Sequence, residues 1–397
     1  MKHEVPSSKQ SIRSSWVPND DLATLALDKI LQQASPIFGK PKTNPTSTSP
    51  LSNWMSRYPD STKLVHMNIP GAHDAATWNY TEATQGALKR VAALTKRPIP
   101  PAQWLQCQEV SLRTMLETGI RAFDLRFEQD ATGETLVFWH GNALLSQTAT
   151  VNDVLFAFYN WLEAHPSEVV FMSLMREGND EASTAVVQRR IYDALTSRAA
   201  QRYFLRTTGL ESTLGEARGK MILLRRFDLD RLDEAEANAL PGIHFSPERW
   251  EDNGADFSMS CLPASHDDGR RAYISDHYAP PTKPTSTLSS NVTLKFAAIK
   301  AHLDRASSPA HPEALYWGFA SGKNVLHDEA MTPRRMARGN EGVRGVNGLL
   351  KEYFQGQLQG LKEEDEEKGK RFGIVMFDFV NAGDDELIEF FLSIKTP

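Results

Sequence analysis

The stretch that decides the fold is Val65-His66-Met67-Asn68-Ile69-Pro70-Gly71-Ala72-His73-Asp74. Apolar and polar residues alternate from Val65 to Ile69, which predicts a short β-strand, and the Pro-Gly pair predicts its end. His73 and Asp74 follow directly after this strand. A histidine in such a position can carry a proton in a reaction, because its charge changes near neutral pH. On this stretch alone, a loop histidine bonded to its neighbouring aspartate is an equally good interpretation.

Two further stretches place ionisable side chains at the ends of apolar strands. Gly119-Ile120-Arg121-Ala122-Phe123-Asp124-Leu125-Arg126 ends in Arg126, and Val137-Phe138-Trp139-His140-Gly141 carries His140. Three consecutive strands thus deliver two proton carriers, His73 and His140, and one fixed cation. Such a set suits phosphoryl transfer to a neighbouring hydroxyl, which needs a base, an acid and a positive charge.

The composition is ordinary for a soluble globular protein. The 397 residues are 40% apolar and 24% charged, and the net charge of −6 offers no general attraction for polyanions. Nucleic acid is therefore not an expected partner. The two cysteines, Cys107 and Cys261, are too few for a metal cluster or a disulfide framework. They can form one bridge, but two unpaired thiols are the expectation.

The expected location is cytoplasmic. The N-terminus lacks the apolar run of a signal peptide, and no stretch approaches the ~20 apolar residues of a membrane span. Two triplets of the N-glycosylation type, Asn79-Tyr80-Thr81 and Asn291-Val292-Thr293, argue weakly for a secreted protein.

The order of predicted elements indicates an α/β protein. Residues 1–50 are expected to be an extension with one short helix, from Asp21 to Leu31, and a Pro/Ser/Thr-rich linker. In residues 51–397, about eight mostly apolar strands alternate with helices, which predicts a parallel sheet. A closed barrel and an open doubly wound sheet both fit this pattern.

A long insertion, from Trp78 to Gln106, interrupts the alternation after the first strand. It contains a short basic amphipathic segment. This segment either contacts lipid head groups at the mouth of the site or packs its apolar side on the barrel, and packing is slightly favoured.

The stretches Asn68 to Asp74, Gly119 to Arg126 and Trp139 to Gly141, in this order, resemble the X-domain signature of phosphatidylinositol-specific phospholipase C. The resemblance is to the compact bacterial and fungal type and extends from about Leu51 to the C-terminus. It implies a distorted (β/α)8 TIM-type barrel with an N-terminal helical appendage. It also implies a monomer that touches phosphatidylinositol in membranes peripherally and transiently.

The resemblance also implies the reaction of a phosphatidylinositol diacylglycerol-lyase. The inositol 2-hydroxyl attacks the phosphodiester, diacylglycerol leaves, and inositol 1,2-cyclic phosphate forms. Because the nucleophile belongs to the substrate, the protein has only to move two protons and stabilise charge on the phosphoryl oxygens. No cofactor is expected. No metal is expected either, because Arg126 fills the region in which calcium-dependent relatives carry acidic ligands.

The catalytic roles follow from the same resemblance. His73 matches the general base, and Asp378, at the end of the last strand, matches the carboxylate that fixes its tautomer. His140 matches the general acid, and Asp74 matches the carboxylate that raises its pKa and orients it. Arg126 matches the cation that holds a phosphoryl oxygen.

The expected head-group contacts lie on later strands. Arg226 and Asp276 match inositol-binding residues, and Tyr278 matches a tyrosine that stacks on the inositol ring. Glu177 is predicted to pair with Arg226. Trp250 resembles a residue near the site, but a place in the core fits it equally well.

One departure from the family concerns the fourth strand. Bacterial relatives carry a lysine where this chain has Met175, and a regular strand directs Arg176 to the opposite face. Either a bulge brings Arg176 into the site or the cation is lost, which puts the rate and the exact head group in doubt. Asp124 and Arg121 are predicted to be buried, paired and structural.

Two other functions remain open. A barrel phosphodiesterase for another lipid or a glycerophosphodiester would need clustered acidic metal ligands, but Arg126 stands where they are expected. A non-catalytic lipid-binding relative would be favoured by the loss of His73 or His140, but both are present.

Overall fold

The structure is a computed structural model that describes residues 20–41, 49–92, 98–178, 181–207, 211–261, 269–327, 330–340, 342–364, 369–380 and 386–396. Most of the linker predicted before residue 50 lies outside these ranges.

The described strands and helices alternate along most of the chain. The strands are β1 Ile69–Ala72, β2 Ala122–Gln129, β3 Leu136–His140, β4 Ala143–Leu144, β5 Val169–Arg176, β6 Lys220–Arg226, β7 Ile243–His244, β8 Phe257–Ser260, β9 Arg271–Ser275, β10 Leu315–Phe319, β11 Gly339–Asn340, β12 Val343–Arg344 and β13 Ile374–Phe377. The helices are α1 Asp20–Phe38, α2 Glu82–Ala92, α3 Leu112–Glu117, α4 Val151–Ala164, α5 Glu181–Thr196, α6 Arg198–Tyr203, α7 Leu214–Ala217, α8 Glu234–Ala239, α9 Leu288–Ala306, α10 Pro333–Arg338, α11 Val346–Glu364 and α12 Leu387–Ser393. No described helix combines the length and the apolar composition that crossing a bilayer requires.

The main sheet is a curled barrel wall with one seam. Eight parallel strands pair in the order β7-β6-β5-β2-β1-β13-β10-β9, and β8 adds an antiparallel edge to β9. Within the described residues, no backbone pairing joins β7 to β8 or β9. The predicted distorted TIM-type barrel is thus confirmed, with a wall that is not closed by hydrogen bonds.

Aromatic side chains fill this seam. The Phe245 ring, just after β7, lies 5.5 Å from the Trp317 ring on β10 and 6.2 Å from the Trp250 ring, measured between centroids. Trp250 in turn packs 5.5 Å from Phe257 on β8. Buried apolar area therefore holds the two edges together where backbone hydrogen bonds do not.

The first strand differs from its prediction. Residues Leu64–His66 form a 3-10 turn, and β1 begins only at Ile69 and includes Pro70 and Gly71. Val65 is buried within that turn, and Met67 and Ile69 are buried after it, so their spacing does not reflect one strand and the prediction of a strand ended by the Pro-Gly pair is wrong.

Neighbouring strands explain why these two residues fit inside β1. The Pro70 carbonyl accepts a hydrogen bond from the Arg121 backbone N–H at 2.9 Å, so the residue still contributes to the pairing with β2. A Cβ at Gly71 would lie 2.3 Å from Met376 Sδ and 3.0 Å from Ala122 Cβ. The glycine is therefore required by close packing and does not end the strand.

The strand that carries His140 is not a barrel strand. β3 runs antiparallel to the end of β2, with Phe138 opposite Phe127, so it is not one of the parallel strands of the predicted sheet. Because the hairpin folds back along β2, its last residue returns to the level of the barrel mouth. His140 thus reaches the same edge by a different route.

The N-terminal helix and the insertion both pack on the barrel layer. The Phe38 ring of α1 meets the Phe158 ring of α4 at 5.0 Å between centroids. Leu88 and Val91 of α2 pack against buried apolar clusters, as the packing interpretation of the insertion predicts. The basic residues Lys96 and Arg97 lie outside the described residues.

Arg121 and Glu168 form a buried ion pair at the base of the barrel. Both side chains are 0% exposed, and Arg121 Nη2 lies 2.7 Å from Glu168 Oε2. The guanidinium also donates to the carbonyls of Leu116, Ile120 and Ser52. The predicted structural role of Arg121 as a buried, paired residue is confirmed.

Substitution Glu168→Gln should destabilise the protein by about 3–5 kcal/mol, because it leaves the Arg121 charge buried without its counterion. Urea unfolding at neutral pH measures this change. The control is Glu313→Gln, whose pair with Lys63 is about half exposed and should contribute little. Equal stability of the two variants would contradict the assignment.

Candidate active site

A pocket of about 330 Å³ opens at the carboxyl ends of the parallel strands, where barrel enzymes carry their active sites. It is lined by every site residue predicted from the sequence except Glu177: His73, Asp74, Arg126, His140, Arg226, Asp276, Tyr278 and Asp378.

Asp74 is the point at which the catalytic side chains meet. Its Oδ2 lies 3.2 Å from His140 Nε2 and 3.6 Å from His73 Nε2, and its Oδ1 lies 2.9 Å from Arg126 Nε. The residue has a left-handed backbone (φ 43°), and its N–H donates to Asp124 Oδ2 at 3.3 Å. This strained turn directs the carboxylate to both imidazoles and the guanidinium.

The contacts of His73 fix its neutral tautomer. Arg126 Nη2, which can only donate, lies 3.0 Å from His73 Nε2, so Nε2 is the acceptor. His73 Nδ1–H then donates to Asp378 Oδ1 at 2.8 Å. The predicted pairing of His73 and Asp378 is present, and it leaves the Nε2 lone pair on the pocket side.

Asp378 makes His73 a stronger base. Burial lowers the pKa of His73, but the charge and hydrogen bond of Asp378, followed by the charge of Asp74, raise it by more. The pKa of His73 therefore lies above its ordinary value of 6.5. Asp378 is itself held by the Gly322 N–H, which donates to Oδ2 at 3.3 Å.

His140 is oriented by a backbone carbonyl. Its Nδ1–H donates to the Leu105 carbonyl at 2.8 Å, so Nε2 faces Asp74. Burial, followed by the positive charges of Arg126 and Lys323, places the pKa of His140 well below its ordinary value. Burial also raises the pKa of Asp74 to about 7. The expected rise in the pKa of His140 is not found, although Asp74 lies beside the ring as predicted.

Arg126 is surrounded by carboxylates. It contacts Asp74, Asp124 Oδ2 at 3.4 Å and Glu177 Oε1 at 3.1 Å. The sequence predicted a pair between Glu177 and Arg226, which is wrong: Glu177 follows β5, the direct neighbour of the strand that carries Arg126. Asp124 is fully buried and also accepts from Ser173, as its predicted structural role requires.

The predicted head-group residues form the other wall of the pocket. The Arg226 guanidinium lies 3.8 Å from the centroid of the Trp250 ring, and Trp250 Nε1–H donates to Asp276 Oδ2 at 2.9 Å. Trp250 therefore belongs both to the aromatic seam and to the site. Tyr278 Oη donates to Asp252 Oδ1 at 3.0 Å, which fixes the ring at the pocket rim.

The fourth strand supplies no bulge. Arg126 is opposite Met175, and Phe127 is opposite Arg176, in regular register. Met175 lines the pocket at the position where the resemblance implies a lysine. Arg176 also lines the pocket, where its Nε donates to Glu128 Oε2 at 2.8 Å, so the expectation that a regular strand directs it away from the site is wrong.

Three residues of the site region were not predicted. Lys323, in the loop after β10, lines the pocket and forms no ion pair within the described part of the chain, while Cys107 lines its floor. Lys295 is buried and donates to the carbonyls of His277 and Phe319 at 2.7 and 2.6 Å, which holds the loop that carries Asp276. The sequence offered one sign that Lys323 belongs to the site, which is its position just past the carboxyl end of a strand.

Two overlapping groups in the pocket have ligand atoms spaced for a cation. One group is His73, Cys107 and Asp378, and the other is Asp74, Cys107 and His140.

Known proteins resemble this chain in sequence and in fold. A "1-phosphatidylinositol phosphodiesterase" of Listeria monocytogenes is 30% identical over 192 residues, which cover 47% of this chain and 51% of the relative. The human "PI-PLC X domain-containing protein 1" is 31% identical over 120 residues, 28% of this chain and 36% of the relative. No protein-family model matches the chain.

The chain is thus similar in sequence to proteins named for phosphatidylinositol phosphodiesterase activity and for the PI-PLC X domain. A solved structure of the phosphatidylinositol-specific phospholipase C of Staphylococcus aureus has the same fold, with a TM-score of 0.63 and 20% identity over 87% of this chain and 98% of that one. In sequence, the match spans about half the length of the listerial relative. The likeness to the staphylococcal structure shows the fold alone.

The pH profile tests the pair of His73 and Asp378. Substitution Asp378→Asn removes the negative charge that stabilises the imidazolium, so the pKa of His73 falls and the acid limb of kcat/KM against pH moves to lower pH. The plateau should fall on the order of 10²-fold, because the base loses the partner that fixes its tautomer.

The matched control is Asp228→Asn. Asp228 also forms a 2.8 Å hydrogen bond with a histidine, His244, but neither residue lines the pocket. This variant should keep the wild-type profile. An acid limb that stays in place in Asp378→Asn would contradict the role of Asp378.

Proposed function

We propose that this protein is a metal-independent phosphatidylinositol-specific phospholipase C, which cleaves phosphatidylinositol to diacylglycerol and inositol 1,2-cyclic phosphate. The observation that carries the proposal is the convergence of His73 Nε2 and His140 Nε2 on one carboxylate oxygen of Asp74, next to Arg126. This arrangement supplies a base, an acid and a cation within one small pocket.

The first proton transfer uses His73. The inositol 2-hydroxyl gives its proton to Nε2 while its oxygen attacks phosphorus, and Asp378 stabilises the imidazolium that forms. Arg126 now donates to Nε2 and is free to turn its Nη2–H to a phosphoryl oxygen once that nitrogen is protonated. Base and cation are thereby coupled in the same step.

The second proton transfer uses the pair of Asp74 and His140. As the bond to the glycerol oxygen breaks, that oxygen takes the proton held on Nε2 of His140, and Asp74 stabilises the protonated ring until then. Burial and the charges of Arg126 and Lys323 lower the pKa of His140, so the ring depends on the nearby Asp74 carboxylate to hold the proton that it then gives up readily. A leaving alkoxide requires such a donor.

Charge on the phosphoryl oxygens is met by two cations. Arg126 is fixed by three carboxylates, and Lys323 also lines the pocket, near enough to lower the pKa of His140. Because the Arg126 guanidinium already occupies the space between Asp74, Asp124 and Glu177, no step of the proposed reaction uses a metal.

The inositol ring would lie against Arg226, Asp276 and Tyr278. The buried guanidinium of Arg226 stacks on Trp250, which leaves its edge to donate to ring hydroxyls. Asp276 is an acceptor on the same wall, and Tyr278 offers a ring face. The monomeric state, the peripheral contact with membranes and the cytoplasmic location stay predictions.

Removal of either imidazole tests the proposal. His73→Ala and His140→Ala should each lower kcat on phosphatidylinositol vesicles by at least ~10²-fold in the presence of a chelator, the scale of general acid–base catalysis. His66→Ala, a partly exposed histidine outside the pocket, is the control. Wild-type protein without activity in chelator would favour a non-catalytic relative or a metal-dependent enzyme.

Lys323 should be required for phosphate binding. Lys323→Met removes one of two cations, so kcat/KM should fall by about tenfold or more, while the exposed Lys63→Met should leave it unchanged. The measurement is initial rate against the fraction of substrate in vesicles. A Lys323→Met enzyme with wild-type kcat/KM would contradict this role.

A further inference from the structure

Cys107 places a thiol inside the catalytic cluster, and no step of the proposed reaction uses it. Its side chain is 1% exposed and lines the pocket. Its N–H donates to Thr77 Oγ1 at 2.9 Å, and its carbonyl accepts from the Phe379 N–H at 2.8 Å. The backbone on both sides of the sulfur is therefore fixed, and the thiol position is a property of the fold.

Two neighbours offer ligand atoms to the same point. Cys107 Sγ, an Asp74 carboxylate oxygen and a His140 ring nitrogen all lie within 4.8 Å of one another. Asp74 is 2% exposed, and its Oδ2 has no hydrogen-bond partner although it is aimed into the cluster. A buried carboxylate oxygen without a hydrogen bond is energetically unfavourable, and a proton donor or a cation placed beside it would stabilise it.

The His140 ring is already turned for coordination. Its Nδ1–H donates to the Leu105 carbonyl at 2.8 Å, which leaves the Nε2 lone pair on the side of Asp74 and Cys107. Histidines that bind metals usually donate their other ring N–H to a carbonyl or a carboxylate in this way. The outer contact that orients a metal ligand is thus present.

We propose that Asp74, Cys107 and His140 form a binding site for a thiophilic divalent cation such as Zn²⁺, and that the bound ion inhibits the enzyme. Thiolate, imidazole and carboxylate in a four-coordinate arrangement suit Zn²⁺, with substrate or water in the fourth position. Ca²⁺ and Mg²⁺ prefer oxygen ligands only and should not bind here. Binding forms the Zn–S bond as the Cys107 S–H bond breaks, and the proton is released to solvent.

Inhibition follows from the atoms that the ion would occupy. While Nε2 of His140 coordinates a metal, it cannot carry the proton that the glycerol oxygen needs. An Asp74 carboxylate bound to the same metal can no longer stabilise a protonated His140 ring. The inhibition rests on the proposed function, whereas the binding does not.

Cobalt provides a readout of binding that is independent of activity. Co²⁺ bound through a thiolate gives a near-ultraviolet charge-transfer absorption. We expect this absorption in the wild type and in Cys261→Ser, and its loss in Cys107→Ser and Cys107→Ala, with thermal unfolding showing that each variant is folded. Two Cys107 variants are used so that the result does not depend on the folding of one. No absorption in the wild type, or its persistence in both Cys107 variants, would overturn the site.

Zinc titration of the cleavage reaction tests inhibition. The activity of wild type and of each Cys107 variant in Zn²⁺ is expressed relative to the activity of the same protein in chelator. Loss of Cys107 should raise the Zn²⁺ concentration for half inhibition by at least about tenfold. Ca²⁺ at the same concentrations should leave the rate unchanged. Equal zinc sensitivity of wild type and Cys107→Ser would overturn inhibition through this site. A cobalt signal that depends on Cys107 in a protein without cleavage activity would refute the proposed function and leave the binding site standing.

Discussion

The site depends on one carboxylate. Asp74 faces two imidazoles and a guanidinium with its two oxygens, and burial raises its pKa to about 7. In a region with little water, each nearby charge changes the proton affinity of the others. Asp378 raises the pKa of His73, whereas Arg126 and Lys323 lower that of His140. The neighbouring charged residues thus give the two imidazole rings different proton affinities, so that one can act as a base and the other as an acid.

The scaffold explains how these groups are held. Asp74 is fixed by the strained turn after β1, and β1 lies between β2 and β13 because Gly71 permits close packing. The same pairing brings Asp378 beside His73 across 305 residues of sequence. The end of the insertion completes the site, because Leu105 supplies the carbonyl that orients His140, and Cys107, directly after the insertion, supplies the thiol. A segment that resembles an addition to the barrel therefore takes part in the catalytic geometry.

Sequence was a good guide where local pattern and strand order decide the outcome. The alternation of strands and helices and the buried, paired Arg121 were both predictable. It failed where contacts from distant segments decide. Pro70 lies inside a strand because of what packs around it, and β3 turns back as a hairpin although its apolar run looks like a barrel strand. Glu177 pairs with Arg126, since the choice between two nearby arginines depends on side-chain direction. Lys323 carried no pattern beyond its place after a strand.

The account requires that the substrate's own hydroxyl attacks phosphorus, with protons moved by the two imidazoles. Phosphorus NMR of the products from phosphatidylinositol vesicles and wild-type protein, with chelator present throughout, tests this most directly. The account predicts a five-membered cyclic phosphodiester as the first product to appear. A phosphomonoester as the first product, or a reaction that starts only when calcium is added, would contradict it.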